Sequence, residues 1–152
     1  MYLFSHRAKI DRGMQGFCAI FNPLENRNSI LINRIEFDSS TTADVLLWVI
    51  KDIGAESEPN DLTSKIHTSN TEDEGDSCGV VAYGAFVRSL EDSYNLKSAR
   101  ILNGVKTCIV EPDDEIILSP GTGLFIRTVV YDGQVVGNIS ISFDKIAKRY
   151  KK

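Results

Sequence analysis

The sequence predicts an all-β, antiparallel fold, and three observations carry that reading. Most apolar residues fall in short runs rich in Ile, Val, Phe and Thr, closed by turn dipeptides. The glycine-rich "SPGTG" at 119–123 is followed by "LFIRTVVY", β-branched and aromatic, where a phosphate-binding loop would open a helix. It therefore reads as a sheet corner, with Pro120 fixing φ and Gly121 supplying the positive φ of a type II turn. Finally, Asp132-Gly133 separates two such runs, the spacing of a two-residue hairpin loop.

In chain order, "GFCAIFNP" is a short apolar run closed by Asn22-Pro23. "SILINRIEFD" follows, with Ile30 and Ile32 on one parity and Ile35 and Phe37 on the other. One strand buries both sets on a single face only if an extra residue shifts the phase, so a β-bulge is expected near Asn33-Arg34; the alternative is burial on both faces. "TTADVLLWVIKDIG" reads two ways. Leu46, Val49, Ile50 and Ile53 fit helical spacing, with Thr41 and Asp44 as a capping pair and Gly54 as terminator, and this reading is slightly favoured over 42–53. Val45, Leu47 and Val49 also alternate as in a buried strand.

The least hydrophobic part, 54–78, is an acidic loop long enough to be functional or disordered. "GVVAYGAFVR" reads as a strand in which Gly84 marks a bulge or a close backbone approach. "SLEDSYNLKS" is a second polar connection. "ARILNGVKTCIV" carries Asn103-Gly104 between apolar flanks, a strong hairpin signal. "EPDDE" is a turn and "EIIL" a short strand.

The closing hairpin has a checkable register. A loop at Asp132-Gly133 places Val130 opposite Val135, Thr128 opposite Gly137, Ile126 opposite Ile139 and Leu124 opposite Ile141, with Phe143 extending the apolar face. The second face would carry Phe125, Arg127, Val129 and Tyr131 against Gln134, Val136, Asn138 and Ser140. Phe125, Val129, Tyr131 and Val136 make it more apolar than a wet surface needs and are candidate subunit-interface residues. Cover by a loop is the alternative.

The 152 residues fit a single domain, 1–152, able to bury a core without metal or disulfide. Net charge is −4, which argues against a dedicated nucleic-acid binder. No apolar run is long enough to span a bilayer, and "MYLFSHRAKI" lacks a signal-peptide core, so synthesis in a cytoplasm is expected. Cys18, Cys78 and Cys108 are too scattered for a disulfide framework and read as small semi-buried residues. The tail 144–152 is basic; Lys145, Lys148, Arg149, Lys151 and Lys152 form either a solvated tail or a docking element for an acidic partner surface.

Chemistry-bearing motifs are sparse. His6 and His67 stand far apart with no carboxylate at metal-ligand spacing. "NTEDEGDSCGVV" begins like an EF-hand loop but places Val81 where the bidentate Glu belongs. Looser calcium binding by Glu72, Asp73, Glu74 and Asp76 is the alternative to a solvated acidic loop. No cofactor, metal or catalytic residue is expected.

Two stretches together resemble small β-sandwich structural proteins of bacteriophage virions. In "GFCAIFNPLENRNSILINRIEFD" the matching residues are Phe21, Asn22, Pro23, Ile30, Ile32 and Ile35. In "IILSPGTGLFIRTVVYDGQVVGNISISF" they are Pro120, Gly121, Gly123, Leu124, Ile139, Ile141 and Phe143. The resemblance implies a jelly-roll-like antiparallel β-sandwich, a strand at Val45–Ile50, and assembly on capsid, head–tail or tail subunits as a decoration or accessory protein, commonly a homotrimer. It implies a virion location and no catalysis. The long acidic insertion and the basic tail depart from a bare sandwich. Two other readings carry their own conditions. A carbohydrate-binding module would need Trp48, Tyr83 or Tyr94 exposed as a stacking platform. A hydrolase or isomerase would need His6 or His67 in a pocket with a carboxylate or thiol.

Overall fold

The computed structural model describes residues 1–56, 58–68 and 79–146. Among them are strands β1 (Tyr2–Ile10), β2 (Gly13–Asn22), β3 (Ser29–Ser39), β4 (Ala43–Ile50), β5 (Ile66–Thr68) and β6 (Val81–Tyr83). β7 (Tyr94–Ile101), β8 (Thr107–Val110), β9 (Ile116–Leu118), β10 (Thr122–Val130) and β11 (Val135–Ile146) follow. Two antiparallel sheets form. The first runs β5-β1-β11-β3-β8, with β9 also paired to β3; the second runs β6-β2-β10-β4-β7.

The fold is an all-β sandwich, as the sequence predicts, and its winding follows one rule. β1 pairs with β11, β2 with β10, β3 with β8 and β4 with β7. These four pairs make one long antiparallel ribbon of sequence-distant strands, rolled so that successive pairs fall in alternate sheets. That is the winding of a jelly roll. β5 and β6, from the insertion between β4 and β7, extend the two sheets at one side.

The core lies between the sheets. β10 contributes Leu124, Ile126 and Val130, and β11 contributes Val135, Ile139, Ile141 and Phe143. Phe4 and Ile10 of β1, Ile32, Ile35 and Phe37 of β3, and Val45 and Leu47 of β4 complete its centre. The bulge expected in β3 is present. Arg34 lies opposite Ser142 and Ile32 opposite Phe143, so Asn33 is the extra residue that brings both Ile pairs inward. β2 repeats the device: Ile126 faces Cys18 and Arg127 faces Gly16, leaving Phe17 as the inserted residue. Phe17 and Cys18 consequently both enter the core while Gly16 turns outward.

Two expected hairpins are corrected. β10 and β11 do not pair; β10 lies between β2 and β4, and β11 between β1 and β3. The predicted partners Leu124 and Ile141, or Ile126 and Ile139, belong to one apolar core but reach it from opposite sheets. Residues 131–134 cross from one sheet to the other. Four extended residues span about 13 Å, enough for the roughly 10 Å between packed sheets. Asn103-Gly104 likewise joins β7 to β8 in the other sheet. Gly104 and Gly133 do adopt positive φ, 72° and 60°. A tight reversal needs that conformation whether the chain re-enters its own sheet or crosses.

Segment 42–53 forms strand β4, not the favoured helix. Its apolar run is continuous because both faces are covered: Val45 and Leu47 face the core, while Trp48 and Ile50 lie under the insertion. The expected strand over 79–88 is short, closing as β6 at Tyr83. The Pro120-Gly121 corner is the expected type II turn, with the Thr122 N–H donating to the Ser119 carbonyl at 3.0 Å and φ of 88° at Gly121.

Asn22 fastens this corner. Its buried side chain donates from Nδ2 to the carbonyls of Asn28 and Leu118, both at 3.0 Å, and accepts from Asn26 Nδ2 at 2.7 Å. Its own carbonyl accepts from the Gly121 N–H at 2.7 Å. Asn22→Ala is expected to cost about 2 kcal/mol, because the buried Leu118 carbonyl and the part-buried Asn28 carbonyl lose their donor. Urea unfolding of the variant checks it; a midpoint equal to the parent's would refute the fastening role.

Candidate functional site

The outer faces of the two sheets differ. On the β1-β11-β3 sheet, the outward residues at the centre are polar: Ser5 and Arg7 of β1, Asn138 and Ser140 of β11, Glu36 and Asp38 of β3. With Lys65 and Lys106 they line an open groove of about 510 Å³. Both of its carboxylates have partners. Glu36 accepts from Arg34 Nε at 2.8 Å and sits 3.7 Å from Lys106 Nζ, and the hydrogen bond from Arg34 holds its carboxyl below the usual range. Asp38 accepts from Asn138 Nδ2 at 3.0 Å.

His6 borders this groove but points inward, stacked on Phe4 and edge-on to Phe17. Among the described residues it makes ring contacts and no hydrogen bond to a carboxylate or thiol, while His67 is exposed on β5. Burial, then the charge of Lys65, holds the His6 pKa below its ordinary 6.5. The unfolded chain therefore takes up a proton that the folded chain resists. Stability is complete above about pH 6.5 and declines as pH falls toward the folded-state value. A His6→Phe variant is expected to lose less stability than the parent between about pH 7.5 and 5.5, read as the shift in urea midpoint. Equal losses would show that His6 is not the group responsible.

The outer face of the β2-β10-β4 sheet is half covered. The insertion lays Phe86 against Phe125, ring centroids 5.0 Å apart, and Tyr83 edge-on to Phe86 at 6.4 Å. Ala19, Ile50, Phe86 and Phe125 form a second apolar cluster, with Phe21, Trp48, Ile53 and Leu90 packed on it. Arg88 pins this cover. Its guanidinium, only 3% exposed, donates to the Ile53 carbonyl at 2.8 Å, Ser93 Oγ at 2.7 Å and Asp52 Oδ1 at 3.1 Å. The Glu56 N–H donates to the Val87 carbonyl at 2.7 Å, adding a backbone tie.

The candidate interface residues separate accordingly. Phe125 is 1% exposed, covered by Phe86, so it is not part of a solvent-facing patch. Val129 is half-buried at the uncovered end of the same face, opposite Met14 and Asp44. Tyr131 is exposed beside it. Its hydroxyl donates to Asp44, and the Arg100 guanidinium lies 5.7 Å from its ring centre. Arg100 also donates to Asp44 at 2.9 Å, and these bonds hold the Asp44 carboxyl below its usual range. Val136 sits on the outer face of the other sheet, opposite Lys9, so it forms no patch with Val129. The expected Val129–Val136 pairing fails because the two strands belong to different sheets.

Of the aromatic platform candidates, Trp48 and Tyr83 pack on the covered cluster, while Tyr94 is 59% exposed on the edge strand β7. Lys145 is exposed near the end of β11; Lys148, Arg149, Lys151 and Lys152 lie outside the described residues, as do Glu72, Asp73, Glu74, Asp76 and Cys78. Cys18 is buried, which pushes its thiol pKa up, and Cys108 is half-buried. Among the described residues no group of three His, Cys, Asp or Glu side chains is placed to hold a metal ion.

At the border between covered and open halves lies a hollow of about 420 Å³. Gly16 makes room for it. A Cβ there would stand 2.4 Å from the Phe86 carbonyl and 2.8 Å from the Phe125 ring. Arg127, cross-strand from Gly16 and Leu46, lines the hollow. Sequence reading places Arg127 on this face but not the hollow, because Phe86 and Arg88 arrive from a distant, irregular segment.

No family model matches this chain, and no curated protein matches it. It is similar to a solved structure of PirA, at 10% identity and a TM-score of 0.43, over 91% of this chain and 94% of that one. It is also similar to the VP1 of Merkel cell polyomavirus in complex with GD1a oligosaccharide, at 9% identity and TM-score 0.30, covering 94% of this chain and 78% of VP1. The VP1 of trichodysplasia spinulosa-associated polyomavirus, in complex with sialylated glycooligomers, gives 11% identity, TM-score 0.29 and coverage of 95% and 78%.

Proposed function

We propose that this chain is a structural protein of a bacteriophage virion, made in the host cytoplasm and working through contacts with neighbouring capsid, head–tail or tail subunits, without catalysis. One observation supports this most. The two sequence stretches that resemble virion sandwich proteins, distant along the chain, are bonded into a single corner through Asn22, Leu118 and Gly121. The resemblance thus concerns one structural unit of a jelly-roll winding, not two unconnected runs. The contact surface in this reading is the uncovered end of the β2-β10-β4 face, with Val129 and Tyr131, together with the basic tail that starts at Lys145. Homotrimers are the expected assembly.

Mass spectrometry of purified particles tests the proposal. The chain should be present in fixed stoichiometry and cross-link to a capsid or tail subunit. Its absence from purified particles, despite abundance in the infected lysate, would overturn the reading. Light scattering at micromolar concentration tests the trimer separately.

A second reading has one specific observation in its favour. Tyr94 is an exposed aromatic flanked by Ser93 and Asn95, the arrangement a carbohydrate-stacking platform requires. Binding on a glycan array that disappears with Tyr94→Ala would favour it; an array with no binding would remove it.

A further inference from the structure

The hollow beside Arg127 combines features that the contact reading does not use. Its lining holds two guanidiniums, Arg127 and Arg88, and no carboxylate. Arg88 is engaged by Asp52, Ser93 and the Ile53 carbonyl. Arg127 has no hydrogen bond or ion pair with any described residue, although it is half-buried on the strand. Burial lowers its pKa, and no anion among the described residues raises it. A guanidinium taken partly out of water without a partner is an unfavourable arrangement that an anion relieves.

The other walls are apolar. The nearly buried Phe125 and Phe86 close the floor, and the exposed Met14 and Val87 supply the accessible apolar surface at the rim. The volume, about 420 Å³, falls in the range of small-molecule sites. A purely inorganic anion would leave these walls unused, and a neutral apolar body would leave the guanidinium unpaired.

We infer that this hollow binds an organic monocarboxylate, its carboxylate on the Arg127 guanidinium and its aryl or alkyl body against Met14 and Val87, over the floor that Phe86 and Phe125 close. The fork of Arg127 suits a planar carboxylate held through two parallel N–H donors. The site borders the contact surface at Val129, whose cross-strand partner Met14 lines the hollow, but it does not rest on a virion role.

The test is titration of the isotopically labelled full chain with 3-phenylpropionate, followed by NMR of backbone amides, the Met14 methyl and Arg127 Nε–H. The expected result is saturable shifts in the millimolar range centred on Gly16, Phe86, Val87 and Arg127. 3-Phenylpropionamide, which lacks the charge, and acetate, which lacks the body, should each bind at least tenfold more weakly. Arg127→Gln should weaken phenylpropionate about tenfold, the loss expected for a charge-assisted pair. Val87→Glu, at an exposed rim position, brings a competing carboxylate into the hollow and should weaken binding similarly. Arg7→Gln, on the opposite face of the sandwich, should leave it unchanged. Absence of saturable shifts, equal binding of the amide or of acetate, or undiminished affinity in a folded Arg127→Gln or Val87→Glu variant would each overturn the assignment.

Discussion

Phe37→Ala is expected to lower the free energy of unfolding by about 3–5 kcal/mol, the range for truncating a fully buried aromatic. Phe37 has no exposed surface, and its ring meets Phe17 edge-on at 5.2 Å. Its direct partner on β11 is Ile139; diagonally across stands Gly137, opposite Ser39, and the absence of a side chain there is not incidental. A Cβ on Gly137 would stand 2.9 Å from the tip of the Phe37 ring, 3.0 Å from Ile10 Cδ1 and 3.3 Å from the Phe17 ring. Gly137→Ala alone should therefore destabilise by overpacking, about 1–3 kcal/mol. The pair together should cost less than the sum, because the new methyl enters space that Phe37 vacated. Denaturant midpoints of the two single variants and the double variant check this. Simple additivity would show that the two residues do not share one packing site.

Arg88→Ala is expected to release the cover over the β2-β10-β4 sheet while leaving the sandwich folded. The substitution removes a buried cation that donates to one carbonyl and one hydroxyl and pairs with Asp52 and Asp92. Both carboxylates are largely exposed, so solvent screens their share. The bonds to the Ile53 carbonyl and Ser93 carry most of the effect, and about 3 kcal/mol of local stability is at stake. Trp48, the sole tryptophan, packs on the cluster beneath this cover and reports its opening. Its emission should move to longer wavelength and become more accessible to acrylamide, with far-ultraviolet circular dichroism unchanged. Unaltered fluorescence would mean that the apolar contacts of Phe86 hold the cover without the pin.

What the sequence made legible follows from what parity can report. Ile30, Ile32, Ile35 and Phe37 could only share a face through an extra residue, and Asn33 is that residue. The type II corner at Pro120-Gly121 was equally readable, because Pro presets φ at the first central position and Gly tolerates the positive φ at the second. Strand pairing was not readable. Asp132-Gly133 and Asn103-Gly104 supply positive φ, and both sheet-to-sheet corners and hairpins demand it. Parity also states that a face is buried without stating what buries it. Leu124 and Ile141 meet across the interior instead of side by side, and Phe125 is hidden by Phe86, which no local pattern connects to it. The continuous run "VLLWVI" suggested a helix for the same reason, since a strand covered on both faces loses its alternation. Of the Arg127 hollow, only a lone charge within an apolar strand was visible.

The ribbon winding has a consequence for how the polypeptide is made. β1 finds its long partner only in β11, and β2 only in β10. While the chain leaves the ribosome in order, β1 to β4 are synthesised long before those partners exist, so the nascent chain carries unmatched sticky edges for most of translation. Closure is postponed until β11 emerges and slots between β1 and β3, which makes folding late, slow and dependent on protection of the waiting strands.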